Sequence, residues 1–346
     1  MLSDSEDEWE EYELIRARRI RFFKPRINFV LNNTFEFNEK FRIKSESIEY
    51  LLQKIGPYLD TPTRRNFALS PKQRLLTALH WLGNGSQYHG TADMHGISKA
   101  TVCRVIKEVV RVINEHVFPH VVRWPNDMNT VVRRFYSINQ MPAVVGCIDG
   151  TLIKIDAPNN HEDRFIDRHG NHSINCMLVC GPDLRFYYCS AKWPGKVHDA
   201  RVLRNSILYE KMENGWRPNP RSVLLGDSGY PLKEWLITPK CNNLEDPAVR
   251  NFSRAHKRTR CLVENSIGIL KEKFPCLNHL RVQPIYACNI IKTCVSICNL
   301  TTNTHELSNQ PSSDQNFNEG EPTNEMLIQP STSGIIRQQE LVNSFR

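Results

Sequence analysis

The fold is decided by an apolar run at residues 143–149, Ala-Val-Val-Gly-Cys-Ile-Asp, which ends in a carboxylate. A shorter run, Val-Leu-Leu-Gly-Asp at residues 223–227, repeats this arrangement. Continuous apolar runs of this kind are typical of buried strands. Ligands of open α/β sheets gather at the carboxyl ends of such strands. We therefore expect an α/β fold in which Asp149 and Asp227 contribute to one pocket.

The segments around these runs extend the α/β region to residues 143–301. Residues 151–155 continue the first strand in alternation, and residues 173–179 and 185–191 flank Gly181-Pro182-Asp183, which predicts a hairpin. Helices are expected over residues 259–274 and 286–300. Strands and helices mixed in this way favour a sheet with helices packed on it.

Residues 45–123 have the pattern of a helical region. Ser70-Pro71 resembles a helix cap followed by a first-turn proline, and His95-Gly96-Ile97 is a turn before a long helix from Lys99 to about His116. Three helices with a glycine turn before the last one predict a helix-turn-helix. Lys99 and Arg104 would then contact DNA, and the alternative is a helical support without DNA contact.

Three further segments complete the organisation. Residues 1–44 form a charged N-terminal segment, with acids first and basic residues after them. Residues 124–142 connect the helical region to the α/β region. Residues 302–346 are rich in Asn, Ser, Thr, Gln, Pro and Glu and poor in aromatic residues, which predicts a disordered polar tail.

Two more carboxylates accompany Asp149 and Asp227. Glu264 lies on the predicted helix, on the face it shares with Arg260, Gly268 and Lys271. It is either a member of the cluster or a surface partner of Arg260 or Lys271. Asp199, in Val-His-Asp-Ala-Arg, either caps a helix or supplies a further carboxylate to the cluster.

Carboxylates in this number suit a divalent metal. Mg²⁺ and Mn²⁺ prefer hard oxygen ligands, and two such ions can activate an attacking hydroxyl and stabilise a leaving oxygen. Basic residues precede and follow Glu264 on its helix, and phosphate contacts there would hold a DNA backbone. The residues expected to make them are Arg254, Lys257, Arg258, Arg260 and Lys271.

Composition sets the broad limits. The chain has 346 residues and a formal net charge of +8, which suits a polyanionic partner without requiring one. We find no run of about 18 apolar residues, so we expect no membrane span. With 11 cysteines and no apparent signal peptide, we expect free thiols in a reducing compartment. Cys176/Cys180 and Cys294/Cys298 are therefore read as buried residues rather than as zinc ligands.

The motifs together resemble those of the PIF/Harbinger transposases, and especially of the nucleases derived from Harbinger transposases. The resemblance runs from about Lys72 to Asn299 and rests on four motifs in order: Gly-Cys-Ile-Asp-Gly-Thr, Trp-Pro-Gly-Lys-Val-His-Asp-Ala-Arg-Val-Leu, Gly-Asp-Ser-Gly-Tyr-Pro and Val-Glu-Asn-Ser-Ile-Gly-Ile-Leu-Lys. It implies an RNase H-like core with a catalytic triad of Asp149, Asp227 and Glu264. It places Asp199 beside them as a further metal ligand.

The resemblance also implies Mg²⁺ or Mn²⁺ as cofactor, work in the nucleus with the cytoplasm as a second location, and a separate Myb-like DNA-binding partner. We expect a transposase-derived, metal-dependent DNA endonuclease. One alternative is a catalytically silent relative that acts as a DNA-binding or adaptor protein. Another is a different metal-dependent phosphoesterase, which the lack of a His-rich cluster disfavours.

Overall fold

The computed structural model describes residues 24–27, 34–61, 67–85, 87–239, 245–302 and 330–346. Residues 1–23, and with them most of the predicted charged segment, lie outside this part of the chain. No helix in the described ranges is long and apolar enough to cross a membrane.

The N-terminal region consists of helices. They are α1 (Thr34–Phe41), α2 (Ser45–Leu59), α3 (Pro71–Asn84), α4 (Tyr88–His95) and α5 (Lys99–His116). The helices predicted for residues 45–123 are therefore confirmed, whereas the helix-turn-helix function of this region stays a prediction.

Local sequence explains where these helices begin and end. The Ser70 side chain accepts a hydrogen bond from the Gln73 main-chain amide, and the Gln73 side-chain oxygen accepts one from the Ser70 main-chain amide, which together form a capping box. Ser98 caps α5 by accepting from the Thr101 amide. Gly96, with φ of 61°, ends α4 in the left-handed conformation that glycine adopts at little cost. These signals confirm the turn predicted before α5.

The expected connector contains one helix, α7 (Met128–Asn139), and the short helix α6 (Phe118–Val121) comes just before it. Asp127 caps α7 by accepting a hydrogen bond from the Thr130 amide. Phe135 is fully buried within the same continuous core as the sheet. Residues 124–142 are therefore part of the packed structure.

The α/β region is built on a five-stranded mixed sheet in the order β3-β2-β1-β4-β5. The strands are β1 (Val144–Lys154), β2 (Ser173–Cys180), β3 (Phe186–Pro194), β4 (Val223–Leu225) and β5 (Leu236–Ile237). The first three strands pair antiparallel, whereas β1–β4 and β4–β5 pair parallel. The predicted hairpin and the α/β class are confirmed.

One strand differs from its prediction. Asp149 does not end the apolar strand, because β1 continues to Lys154 as a partner of β2. The parallel pairing with β4, by contrast, stops at Cys147. Asp149 thus lies just beyond the point where β1 loses its β4 neighbour, which opens space at that edge.

Helices α8 (Asp199–Arg204) and α9 (Ile207–Glu213) lie between β3 and β4 in the chain, and α10 (Pro247–Lys273) and α11 (Pro284–Thr301) follow β5. Helix α10 is longer than the predicted 259–274 because Asp246 caps it at the Ala248 amide and Pro247 occupies its first turn. It buries Val263 and Leu270 as expected.

The prediction of a disordered tail over residues 302–346 is wrong at its end. Residues Thr332–Asn343 form helix α12, which buries Leu341 and Val342. The Gln338 side chain donates to the Thr238 carbonyl, and Phe345 packs edge-on against Phe252 of α10. A few apolar residues in a polar stretch are enough because the sheet edge supplies the surface that they cover. Residues 303–329 lie outside the described part of the chain.

Candidate active site

The register of β1 against β4 brings Asp149 and Asp227 together. Cys147 is paired with Leu225, and each aspartate stands two residues further along its strand direction. Side chains two residues apart in an extended strand point to the same face. The two carboxylates therefore emerge side by side where the parallel pairing ends.

Asp199 joins these two carboxylates from the first turn of α8. Its carboxylate lies directly over Gly150, where an added Cβ would fall only 2.2 Å from Asp199 Oδ1. Asn175 Nδ2 donates to the same oxygen at 2.8 Å. The N-cap residue of α8 is His198, without a side-chain cap bond. Of the two expectations for Asp199, the structure thus places it beside the cluster.

Burial and mutual repulsion characterise the three aspartates. Burial and the neighbouring charge of Asp227 raise the pKa of Asp149 to about 7, although Arg260 opposes the shift. Burial likewise raises the pKa values of Asp199 and Asp227, and the Asp199 charge adds to the effect at Asp227. Carboxylates that repel one another in a buried site need a compensating cation or protons.

Glu264 occupies a different position from the aspartates. It is ion-paired with Arg260, one helical turn before it on α10, and its side chain is 31% exposed. Arg260 Nη1 also lies 3.7 Å from Asp149 Oδ2. The structure therefore links Glu264 to the aspartates through Arg260, and its role as a ligand stays a prediction.

Two buried polar atoms near the aspartates have no hydrogen-bond partner among the described residues. They are the Tyr230 hydroxyl and Asn175 Oδ1. The charges of Asp199, Asp149 and Asp227 all act on Tyr230, and its own burial raises its pKa well above the usual range. Unpaired buried polar atoms are costly, so they indicate room for a water or an ion with its waters.

The carboxylate oxygens of the three aspartates are ligands that a hard divalent cation prefers. The described side chains alone do not form a complete coordination site. Within the described ranges, no three His, Cys, Asp or Glu side chains form a group that could hold a metal ion. Mg²⁺ usually keeps several waters and takes only one or two protein carboxylates. A pair of these aspartates with solvent ligands would therefore satisfy such an ion.

Five of the basic residues expected to contact DNA are exposed, and they lie in two places. Lys99 and Arg104 are exposed at the start of α5. Arg254, Lys257 and Arg258 are exposed on α10.

Two further cations of α10 face inward. Arg260 is held by the acids, and Lys271 Nζ donates to the Leu152 carbonyl of β1 at 3.3 Å. Gly268, between them, would place a Cβ in open space, so the helix face has the expected gap. These two cations thus line the acidic cluster rather than the outer surface.

Sequence reasoning did not identify Asn175 and Tyr230 as functional candidates. Asn175 stands in an otherwise apolar strand, Ser-Ile-Asn-Cys-Met, and a polar residue that interrupts such a strand is the signal that could have found it. Tyr230 lies within the Gly-Asp-Ser-Gly-Tyr-Pro motif, three residues after Asp227.

A mixed sheet with paired aspartates at its centre agrees with the family comparison. Residues 148–299, which include the three aspartates and Glu264, match the DDE superfamily endonucleases. The chain is 32% identical over 261 residues to "Putative nuclease HARBI1" of both Rattus norvegicus and Homo sapiens, covering 73% of this chain and 74% of each relative. The chain therefore belongs to the family of Harbinger transposase-derived nucleases.

More distant similarity extends to plants. "Protein ALP1-like" of Arabidopsis thaliana is 27% identical over 267 residues, covering 72% of this chain and 65% of the relative. No solved structure matches the chain at a significant level of similarity.

Proposed function

We propose that this protein is a divalent-metal-dependent DNA endonuclease that hydrolyses phosphodiester bonds on an RNase H-like core. The observation that carries the proposal is the convergence of Asp149, Asp199 and Asp227, whose charges act on one another in a buried site. Such a cluster is unfavourable for stability alone, and perturbed carboxylates in one place are typical of functional sites. Membership of a nuclease family supports the same reading.

Asp149 and Asp227 would hold Mg²⁺ or Mn²⁺, with Glu264 and Asp199 as the further ligands. When bound, such ions supply charge stabilisation to the attacking and leaving oxygens of the phosphodiester. The contribution of the chain is to keep the carboxylates in place. Asn175 fixes Asp199 by its hydrogen bond, and Gly150 leaves the space in which the Asp199 carboxylate lies.

Glu264 can act as a ligand only if its pairing with Arg260 changes. Arg260 contacts both Glu264 and Asp149, so it neutralises acids that a cation would otherwise neutralise. A bound cation would remove the need for this contact, and the guanidinium would then be available to a DNA phosphate. In this exchange Glu264 would be an ion-pair partner of Arg260 before a cation binds and a ligand afterwards.

DNA binding would use the exposed basic face of α10, with the start of α5 as a second surface. Lys257 and Arg258 are adjacent and exposed there. Phosphate contacts release counterions, so affinity should fall steeply with salt. Reversing Lys257 and Arg258 to Glu should weaken binding to all sequences alike and reduce the salt slope, whereas a salt-independent affinity would contradict this surface.

We also propose a nuclear location, with the cytoplasm as a second compartment, and a Myb-like DNA-binding partner. These proposals rest on the resemblance of the four motifs to PIF/Harbinger transposases. A helix-turn-helix role for α3 to α5 is proposed on the exposure of Lys99 and Arg104 beside the Gly96 turn.

The proposal is tested by nicking of supercoiled plasmid DNA in the presence of Mn²⁺. Purified wild-type protein should nick, and Asp149→Asn should lose at least about 100-fold in rate. Asp163→Asn is the matched control, because Asp163 is an exposed aspartate of the same domain outside the cluster. Equal nicking by all three proteins would contradict the proposal, because the activity would not depend on Asp149. If the wild-type protein binds the plasmid DNA but does not nick it, the result would favour the catalytically silent alternative.

A further inference from the structure

A pocket lies at the opposite end of β4 from the acidic cluster. Asp227 follows β4, whereas this pocket forms around residues that precede it, where α12 packs against the sheet. Its volume is about 240 Å³. Three arginines line it: Arg217, Arg221 and Arg337. Cations gathered in a concave site are suited to an anionic ligand.

Two of the three arginines are held in place through main-chain carbonyls. Arg337 Nη2 donates to the Arg221 carbonyl at 2.8 Å, and Arg217 Nη1 donates to the Trp216 carbonyl at 3.0 Å. Guanidinium groups fixed in this way lose little freedom when they bind a ligand.

Glu340 occupies part of the pocket as an internal anion. Its carboxylate accepts from Arg337 Nη1 at 2.6 Å and from Arg221 Nη2 at 2.9 Å. Both arginines therefore already bind an oxyanion, each through one guanidinium nitrogen and both at the same carboxylate oxygen, Glu340 Oε2. With Glu234 as the other acid in the lining, three guanidinium groups face two carboxylates. One positive charge remains in excess.

An unpaired hydroxyl adds an observation that does not depend on charge. Ser222 lines the same pocket and is only 3% exposed, and its Oγ has no hydrogen-bond partner among the described residues. A buried hydroxyl without a partner is costly unless a ligand or water supplies one. Ser333, in the first turn of α12, places a second hydroxyl on the lining.

We propose that this pocket binds a phosphate group. Phosphate offers more acceptor oxygens than a carboxylate does, so it can accept from several guanidinium groups and hydroxyl donors at once. The phosphate could belong to a DNA backbone or to a free phosphate ion. A DNA source would rest on the proposed nuclease function, whereas binding of free phosphate would be independent of it.

The first test is calorimetric titration of the metal-free full chain with inorganic phosphate at low salt. Wild-type protein should bind, and Glu340→Gln should bind several-fold more tightly because the internal competitor is removed. Arg217→Ala combined with Ser222→Ala should bind at least about tenfold more weakly. Arg204→Ala is the control, because this arginine lies on α8 outside the lining, and it should bind as the wild type does.

The second arm identifies the source of the phosphate. The salt dependence of duplex DNA binding should become shallower by about one unit in Arg217→Ala if the backbone enters the pocket, because each lost phosphate contact removes about one released counterion. An unchanged slope together with phosphate binding assigns the site to a free phosphate. If neither wild type nor Glu340→Gln binds phosphate and the DNA slope is unchanged, the proposal is wrong, whatever the outcome of the nicking assay.

Discussion

The Arg260 guanidinium links two of the expected catalytic acids, with Nη1 3.7 Å from Asp149 Oδ2 and an ion pair to Glu264 on its other side. One helix of the nuclease domain therefore carries both a candidate ligand and the cation that neutralises it. The guanidinium neutralises part of the negative charge of the acidic cluster. The arrangement also predicts that Glu264 contributes little to stability.

Glu264→Gln separates the two roles of this residue. The change keeps the size of the side chain but removes the charge, so nicking with Mn²⁺ should fall at least about 100-fold. The free energy of unfolding should change by at most about 1 kcal/mol, because a partly exposed ion pair is worth little. Thermal midpoint and nicking rate should be measured on the same preparation. Nicking at the wild-type rate would remove Glu264 from the triad.

The raised pKa of Asp149 makes a prediction about stability and pH. A carboxyl whose folded pKa exceeds its unfolded value favours the fold when protonated. Its contribution is complete below its ordinary value of 3.8 and is lost as pH rises to about 7. Metal-free Asp149→Asn should therefore melt higher than wild type above pH 7. The two midpoints should converge toward pH 4.

The measurement is a series of thermal midpoints in EDTA between pH 4 and pH 8.5. Asp163→Asn provides the baseline, since it removes an exposed carboxylate outside the cluster. A pH-independent difference between Asp149→Asn and wild type would show that Asp149 is not perturbed by its neighbours.

Asn175 is expected to act through Asp199. Its Nδ2 donates to Asp199 Oδ1 and to the Val197 carbonyl, both at 2.8 Å. Asn175→Leu keeps the number and branching of the side-chain heavy atoms and removes both hydrogen bonds, so Asp199 should lose its fixed position. Residues that orient metal ligands typically contribute 10–100-fold, and we expect a loss of about that size in Mn²⁺ affinity and nicking. Asn205→Ala, on an exposed asparagine, should leave both unchanged. An equal effect of both variants would contradict the assigned role.

Removal of residues 330–346 should destabilise the nuclease domain. Full burial of one large aliphatic side chain contributes roughly 1.5–3 kcal/mol, so Leu341 and Val342 together set an upper estimate of about 3–6 kcal/mol. Urea unfolding of the truncated chain against the full chain measures the difference. If the free energy of unfolding of the truncated chain lies within about 0.5 kcal/mol of that of the full chain, the result would support the disordered tail predicted from the sequence.

The sequence predicts the central strands of the sheet well, and it predicts the edge strand β5 and the helix α12 less well. Strands β1 and β4 follow from apolar runs, and the aspartates follow from their position after those runs. Strand β5 has only two residues, Leu236 and Ile237, which is too short for a periodic signal. The sequence does not predict helix α12 because its composition is polar. Its few apolar residues stabilise the helix only because they pack against the rest of the fold.

The candidate site was likewise predictable from the sequence only in part. Asp149, Asp199 and Asp227 are brought together by register and by α8, and their motifs suggested as much. The Asn175 contact depends on β2 lying beside β1 in a particular register, Leu152 opposite Asn175, which no local pattern specifies. The inward orientation of Arg260 likewise depends on how α10 packs against β1.

The most direct test of the metal centre is calorimetric titration of the apo protein with Mn²⁺ at pH 6 and pH 8. The account predicts saturable binding that tightens between these values, because the raised pKa of Asp149 means that a proton must leave before the ion binds. It also predicts that Asp227→Asn weakens binding strongly, while Asp163→Asn binds as the wild type does. Equal Mn²⁺ binding by wild type and Asp227→Asn at both pH values would contradict it.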